Sequence, residues 1–538
     1  MSTGTSNLLD QPCVPVRWKS DIPPPEDGAR PDRVGLRELL LRSHDIESLA
    51  IADAPAHAAL LRVLYALTAR IAGLDEQGPA RDWEERRLDV RDEGRMPPAG
   101  IAEYFSEFGD RFHLFDPGGG RPWMQDPRLA EQCDATKTAG VNKLIVTRPS
   151  GNNHAWFRHD QDTAPELPTA SEAFLNLLVW HYYGPAGRCS ARAVNGVKSA
   201  SATAGPLRTA LSYHPQGTSL FETLLAGLVP PEAAVRREQD LCPWEQDELP
   251  DPERPPRTSH GPRSRHTGRS QHALLLVPDE DGTRVRDAYI TWAYRGERMP
   301  REDDYLIWQI SQQNNVYPRP AKAGRALWRD LDALLLQHPP AGSAHPRRPR
   351  VFDTAAEVSE NLRVRALGFD QEGQAKDTQF IDASTPAVLG FAERNDARTV
   401  PAVGRLRQFG EMFGRRLDRA VKRAWSAYVQ DPKADGSAWA SEAGARYWPL
   451  AEAVFWERFR QLDRTGTTVD DGFDPVATRR AFLRLAEEAY DTVTTPVTRT
   501  LRGAKAVSHA RTELYGGTPK NRTASAPGAR EKTKEPTA

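Results

Sequence analysis

The chain has 538 residues, a formal net charge of -1 at pH 7, 39% hydrophobic and 27% charged residues, and a mean hydropathy of -0.63. That length exceeds one ordinary core and predicts two or more domains, while near-neutral charge excludes a surface given over wholly to phosphate and leaves only local nucleic-acid contacts. Apolar runs fall short of the roughly 20 residues that cross a bilayer and the start, Met1-Ser2-Thr3, lacks the layout of a secretory signal, so a cytoplasmic protein without membrane contact is expected.

In chain order, the first 400 or so residues mix short apolar runs, helical stretches and Pro/Gly punctuation, an α+β pattern. Helices are expected over Leu36 to Leu41 and around Ala59, Leu60, Val63, Leu64 and Leu67, whose spacing gives one apolar face. A hairpin is expected from Ala273-Leu274-Leu275-Leu276-Val277, a turn at residues 278–282, then Val285 and Ala288-Tyr289-Ile290-Thr291-Trp292. Pro339, Pro340, Pro346 and Pro349 mark a connector.

From residue 401 the pattern turns helical. One stripe runs Leu406, Phe409, Phe413, Leu417, Ala420, Ala424 and Tyr428, and a second runs Ala451, Val454, Phe455, Phe459 and Leu462. A third helix is expected to be capped by Asp474 with Pro475 at its first position and to carry Phe482, Leu485, Ala489 and Val493; a fourth repeats the device with Thr495 and Pro496, then Val497, Leu501 and Ala504. None of the four buries its stripe alone, so an antiparallel four-helix bundle over residues 401–515 is predicted, after a mixed α+β domain over 1–400. Residues 516–538 are polar and expected to form a disordered tail.

Chemical motifs are sparse. Cys13, Cys133, Cys189 and Cys242 are too scattered for a metal or disulfide staple, and the triple glycine Gly118-Gly119-Gly120 lacks the Lys-Ser or Lys-Thr of a P-loop. His44-Asp45 and His159-Asp160, the latter near His154 and Asp162, leave a metal-dependent phosphohydrolase open as an alternative; a free-standing RNA-binding adaptor is another. Two basic clusters stand out. Residues 254–269 hold five arginines and two histidines without an acid, and residues 405–423 are basic along a predicted helix; each is either a solvated face or a phosphate contact.

An ordered series of segments resembles the CasA family, the large subunits of type I-E CRISPR surveillance complexes (Cascade). It begins with Asn7-Leu8-Leu9-Asp10-Gln11-Pro12-Cys13, Cys13 standing where the family usually has Trp, and continues with Val34-Gly35-Leu36-Arg37-Glu38-Leu39 and Arg111-Phe112-His113-Leu114-Phe115-Asp116-Pro117. Pro149-Ser150-Gly151-Asn152-Asn153, Gly217-Thr218-Ser219-Leu220-Phe221-Glu222 and Trp244-Glu245 follow in order, and the helical end suits the family's C-terminal bundle. The resemblance implies a non-catalytic, cofactor-free subunit. Its expected partners are the other Cascade subunits, the 5′ handle of the CRISPR guide RNA, double-stranded target DNA carrying the short flanking PAM, and a helicase-nuclease that it recruits. It would read the PAM and help open the duplex, while base pairing reads the rest of the target.

The same resemblance assigns candidate residues. Gly373, Gln374 and Lys376 match the family's DNA wedge, in which a tip Gln enters the duplex, the alternative being a plain exposed turn. Gly184, Gly187 and Arg188 fall where the family has its glycine-rich PAM loop, though the glycines are fewer here and a helix C-cap explains them equally. Arg295 is the candidate for the PAM minor groove, or an ordinary surface arginine. Asn152, Asn153, Trp156, Phe157 and Arg158 align with the loop that docks on the guide handle, where aromatics stack on unpaired bases, unless Trp156 and Phe157 belong to the core. On the bundle, Arg415, Arg416, Arg419, Lys422 and Arg423 are candidates for DNA-backbone contact.

Overall fold

The structure is a computed structural model that describes residues 6–23, 28–76, 78–115, 120–150, 160, 163–232, 235–254, 260–295, 302–335, 346–371, 377–389, 399–462 and 473–517. It divides into two compact units, 1–400 and 401–538.

In chain order the first unit contains β1 (Val14–Trp18), β2 (Arg33–Val34), α1 (Leu36–Leu41), β3 (Ile46–Leu49), α2 (Ala54–Ile71), α3 (Ala80–Asp92), α4 (Pro98–Phe108), α5 (Leu129–Gln132), α6 (Val141–Leu144) and α7 (Ala170–Tyr183). It continues with β4 (Gly187–Val194), β5 (Val197–Ala202), β6 (Leu211–Gln216), α8 (Leu220–Ala226), α9 (Pro262–Thr267), β7 (His272–Pro278), β8 (Val285–Trp292), β9 (Trp308–Ile310), β10 (Val316–Pro318), α10 (Leu331–Leu335), β11 (Arg363–Gln371) and β12 (Asp377–Ala387). The strands form small antiparallel sheets: β2-β1-β3, β12-β11-β6 and three two-stranded pairs. This is the expected α+β class. The predicted hairpin is β7–β8, paired from His272↔Trp292 to Pro278↔Val285.

Helix α2 differs from its expected one-faced pattern, because every residue from Ala54 to Ile71 is buried. It runs through the unit with α4, α7, α8, α9 and β11 packed around it, so its two arginines need internal partners. Arg62 is fully buried and paired with Asp303 at 3.1 Å, and Arg70 holds Glu245 at 2.9 Å and Asp75. A Cβ on Gly227 would come within 2.0 Å of the Tyr65 ring, so only glycine lets α8 end against α2.

The basic run at 254–269 is split: Arg254 and His260 are exposed, but residues 263–269 are not a solvated face. Arg263, Arg265, His266 and Arg269 are buried, and acids or carbonyls from distant segments meet them: Asp240 for Arg263, Glu232 and Asp304 for Arg265, Asp304 for His266 at 2.8 Å, and the Glu302 carbonyl for Arg269. At the end of the predicted connector, Arg347 exchanges backbone hydrogen bonds with Trp308.

The second unit consists of α11 (Thr399–Val429), α12 (Ser437–Gln461), α13 (Pro475–Thr494) and α14 (Leu501–Ala510), packed together. Helices α11 and α12 are antiparallel, since Trp425 meets Trp439 near the connection while the Tyr447 hydroxyl reaches back to the Gly410 carbonyl at 2.8 Å. Asp474 caps α13 as expected, accepting from the amides of Val476 and Ala477 at 2.9 Å each. Two details depart from the sequence reading. Helix α12 starts well before Ala451 and keeps Pro449 on an exposed position, where the lost backbone bond is tolerated. Thr495 and Pro496 lie in a 3-10 turn that prolongs α13, and α14 begins instead after Thr500, whose hydroxyl accepts from the Gly503 amide. That later start turns Gly503, Ala506, Val507 and Ala510 inward and leaves Leu501 75% exposed.

Candidate nucleic-acid interface

The candidate site is a cleft of about 650 Å3 in the first unit. Its floor is the end of α7, where burial demands aromatic and aliphatic residues: Val179, Trp180 and Tyr183. The Trp180 indole donates to the Leu144 carbonyl at 2.9 Å, and Asn176 accepts from the Val146 amide at 3.0 Å, which fixes α6 beside α7 and sets Lys143 on the wall.

At the end of α7, Gly184 closes the helix by donating from its amide to Trp180 at 3.2 Å. Its backbone is not left-handed (φ -53), so the cap reading of Gly184 holds for a steric reason: a Cβ would sit 2.6 Å from the His272 ring and 2.7 Å from the Trp180 carbonyl. Gly187 is different. Its φ of +129 is available to glycine and strained for other residues, and although it pairs with Ala202, a Cβ there would have nothing within 4 Å, so the space beside its Cα is open. Arg188 follows, exposed and lining the cleft.

Strands β4 and β5 form the next wall. They are joined by Asn195-Gly196, both with positive φ (47 and 78), the combination that a tight two-residue hairpin turn requires. The Asn-Gly pair is a hairpin signal that the sequence reading above does not use. The hairpin pairs Lys198, exposed, with Ala193 and Arg188 with Ser201, and both cations lie within the cleft lining. The fully buried Arg192 ties β4 down, donating to Asp126 and Gln132 at 2.7 Å each.

Acid-base balance gives the cleft its sign. Lys137, Lys143, Arg148, Arg188, Lys198 and Arg208 line it, against one acid, Asp134. Some of these cations are already engaged: Lys137 is 3.7 Å from Asp134, Arg148 lies between Asp160 and Glu172, and Arg208 donates to the Tyr183 carbonyl at 3.1 Å. Lys143, Arg188 and Lys198 form no ion pair among the described residues. Partial burial lowers the pKa of Lys143, which favours an anion beside it as compensation. His272, against Gly184, is pushed down to about 4 by burial, so it is a neutral wall and not a cation.

The remaining sequence candidates fall as follows. Gln371, at the end of β11, lines this cleft and pairs with Asp377 of β12. Gly373, Gln374 and Lys376 themselves lie outside the described residues, as do Asn152, Asn153, Trp156, Phe157 and Arg158, whereas Ser150, just before the latter group, lines the cleft. Arg295 does not line it: its guanidinium lies over Trp292 at 4.6 Å, 3.4 Å from Glu253, and donates to the Val197 carbonyl at 2.5 Å. In the second unit, Arg415, Arg419, Lys422 and Arg423 are exposed on one stripe of α11, and Arg416 at its edge donates to the Leu514 carbonyl. Arg423 pairs with Glu513 and Lys422 with Asp418.

No group of His, Cys, Asp and Glu among the described residues is arranged to hold a metal ion. His44 and Asp45 are 3.6 Å apart; His154, His159 and Asp162 lie outside the described residues. Among the described residues, no helix is long and apolar enough to cross a membrane. Lysines 137, 143 and 198 escape sequence reading because each stands alone in the chain; only folding collects them.

Fold and cleft together define a mixed α+β chain with a helical C-terminal unit and a groove lined by six cations against one acid. The family described as CRISPR-associated protein Cse1 matches residues 7–491, and the chain belongs to that family. A relative from Thermus thermophilus, a CRISPR-associated protein CasA/Cse1, is 28% identical over 411 residues, 71% of this chain and 67% of the relative. Among solved structures, a chain of a "CRISPR RNA-guided surveillance complex" is 40% identical with a TM-score of 0.83, covering 95% of this chain and 99% of that one. The crystal structure of a Thermus thermophilus CasA is 21% identical with a TM-score of 0.73 over 95% of this chain and 99% of that one, a likeness of fold.

Proposed function

We propose that this chain is the non-catalytic large subunit of a cytoplasmic RNA-guided surveillance complex and that its cleft receives PAM-bearing duplex DNA. The observation that carries the reading is the meeting, in one cation-lined cleft, of the Gly184–Arg188 loop, the Gln371 end of the β11–β12 stem and Ser150. The open space at the Cα of Gly187 allows close approach of a phosphate or the minor groove, while Lys143, Arg188 and Lys198 supply charge. Gln374, with Gly373 and Lys376, would then stand beside the bound duplex as the wedge. Asn152, Asn153, Trp156, Phe157 and Arg158 would meet the guide handle. Arg295 would reach DNA only by leaving Glu253, and the α11 stripe would flank the displaced strand. Family membership, with the likeness to a chain of an RNA-guided surveillance complex, supports the assembly and the guide as partners; the helicase-nuclease is proposed from the family resemblance alone.

The test is PAM-dependent binding of duplex DNA by the reconstituted complex, with and without this chain, in a magnesium buffer. Omission is expected to abolish PAM discrimination, with no cleavage by the chain alone. Unchanged binding would overturn the reading in favour of an RNA adaptor, and metal-dependent hydrolysis by the chain would favour the phosphohydrolase.

A further inference from the structure

A second opening lies in the helical unit, between α11 and α12. It has a volume of about 400 Å3 and is lined by Gly414, Arg415, Leu417, Asp418, Arg419, Ala440, Gly444, Tyr447 and Trp448, a size within the roughly 300–1,000 Å3 of pockets that hold small ligands.

Its composition is specific. The six-membered ring of Trp448 lies so close to α11 that a Cβ on Gly414 would sit 2.2 Å from its Cη2. Glycine inside a helix is unfavourable by about 1 kcal/mol relative to alanine, so the position is explained by the seat it makes for the indole. Gly444 and Ala440, one turn apart on α12, keep the opposite lining low. Trp448 is itself only half-buried. The single acid, Asp418, is held by Lys422 at 2.9 Å. Arg415 and Arg419, one turn apart on the rim, are exposed and form no ion pair among the described residues.

An aromatic floor beside two uncommitted guanidinium groups is the chemistry that grips an unpaired nucleotide, the ring taking the base and the arginines the phosphates on either side. We propose that this pocket is a stacking site for one base of single-stranded DNA, with Trp448 as the platform and Arg415 and Arg419 as the phosphate clamp. It rests on reading the α11 stripe as the flank of the displaced strand, and it adds what charge alone does not supply: a site that distinguishes an unpaired base from bare backbone. A duplex cannot use it, because stacked and paired bases have no free face.

The experiment compares the full chain binding a short oligothymidylate with an abasic oligomer of equal length. Wild type is expected to prefer the oligothymidylate by about tenfold, the scale of one lost stacking interaction. Trp448→Ala should erase that preference and Trp448→Phe should largely restore it. The exposed pair Arg415→Ala/Arg419→Ala should weaken both oligomers and reduce the salt slope by about 1.4, at about 0.7 per phosphate on a single strand. Equal binding of the two oligomers by wild type, or a preference that survives Trp448→Ala, overturns the site. The same preparations are assayed in the assembled complex for PAM-dependent duplex binding. If that is intact while the base preference is absent, only the pocket falls; if wild type shows neither, the reading on which the pocket rests falls with it.

Discussion

Arg62 shows how narrowly the first unit constrains its charges. It sits on α2 with no exposed side-chain surface and is answered by Asp303 through three hydrogen bonds of 3.1–3.2 Å. Removing one partner of such a pair leaves a buried charge, so Arg62→Met is expected to destabilise the protein by about 3–5 kcal/mol, read as a lower urea midpoint. Buried histidines set a second residue-scale property. Burial pushes His57 down to about 3 and His181 and His272 to about 4, whereas in the unfolded chain each returns to about 6.5. As pH falls from 6.5 towards 4 the unfolded chain takes up protons that the native state refuses, so stability declines by up to about 1.4 kcal/mol per pH unit for each histidine. Urea midpoints at pH 7 and pH 5 should show this, with a shallower drop in His272→Gln; a flat profile would mean that these rings are not held neutral.

At the scale of elements, the helix caps separate two readings of the C-terminal unit. Thr500→Ala is expected to destabilise it by about 1 kcal/mol, because the Thr500 hydroxyl accepts from the Gly503 amide at 3.0 Å. Thr495→Ala should change stability by only a few tenths, since the Thr495 hydroxyl donates to the Asp491 carbonyl within an existing helix. Thermal melts of the two variants decide it. Local chemistry was legible where one residue type has one use: Asp474-Pro475 starts α13, and two apolar runs either side of residues 278–282 make β7–β8. It misled at Thr495-Pro496, where a capping residue followed by proline prolongs a helix as a 3-10 turn, and Asn195-Gly196 carried a hairpin signal for β4–β5 that went unused.

For the molecule as a whole, the cleft is where function should respond. Lys143→Ala, Arg188→Ala and Lys198→Ala together are expected to weaken duplex binding by the assembled complex and to reduce its salt slope by up to about 2.7, at about 0.9 per lost phosphate contact. Gly187→Ala should impair PAM-dependent binding although a Cβ there meets nothing, because a φ of +129 is strained for alanine and the loop must shift. A gel-shift series across salt concentrations and altered PAMs tests both; an unchanged slope would remove the cleft from the interface.

The sequence by itself determined the family, through an ordered series of segments, and the α+β-then-helical order of the chain, through hydrophobic periodicity. Those are properties of local residue order. Tertiary structure alone decided which charges face outward. The arginines at 263, 265 and 269 were indistinguishable in sequence from a phosphate-binding run, yet Asp240, Glu232, Asp304 and the Glu302 carbonyl meet them inside the fold. Lys143, Arg188, Lys198 and Gln371 come from α6, β4, β5 and β11 and share a cleft only because α7 and the small sheets bring those segments together. A charge binds an external phosphate or stabilises a core according to what folding places beside it, and that neighbour is set by contacts between residues far apart in the chain.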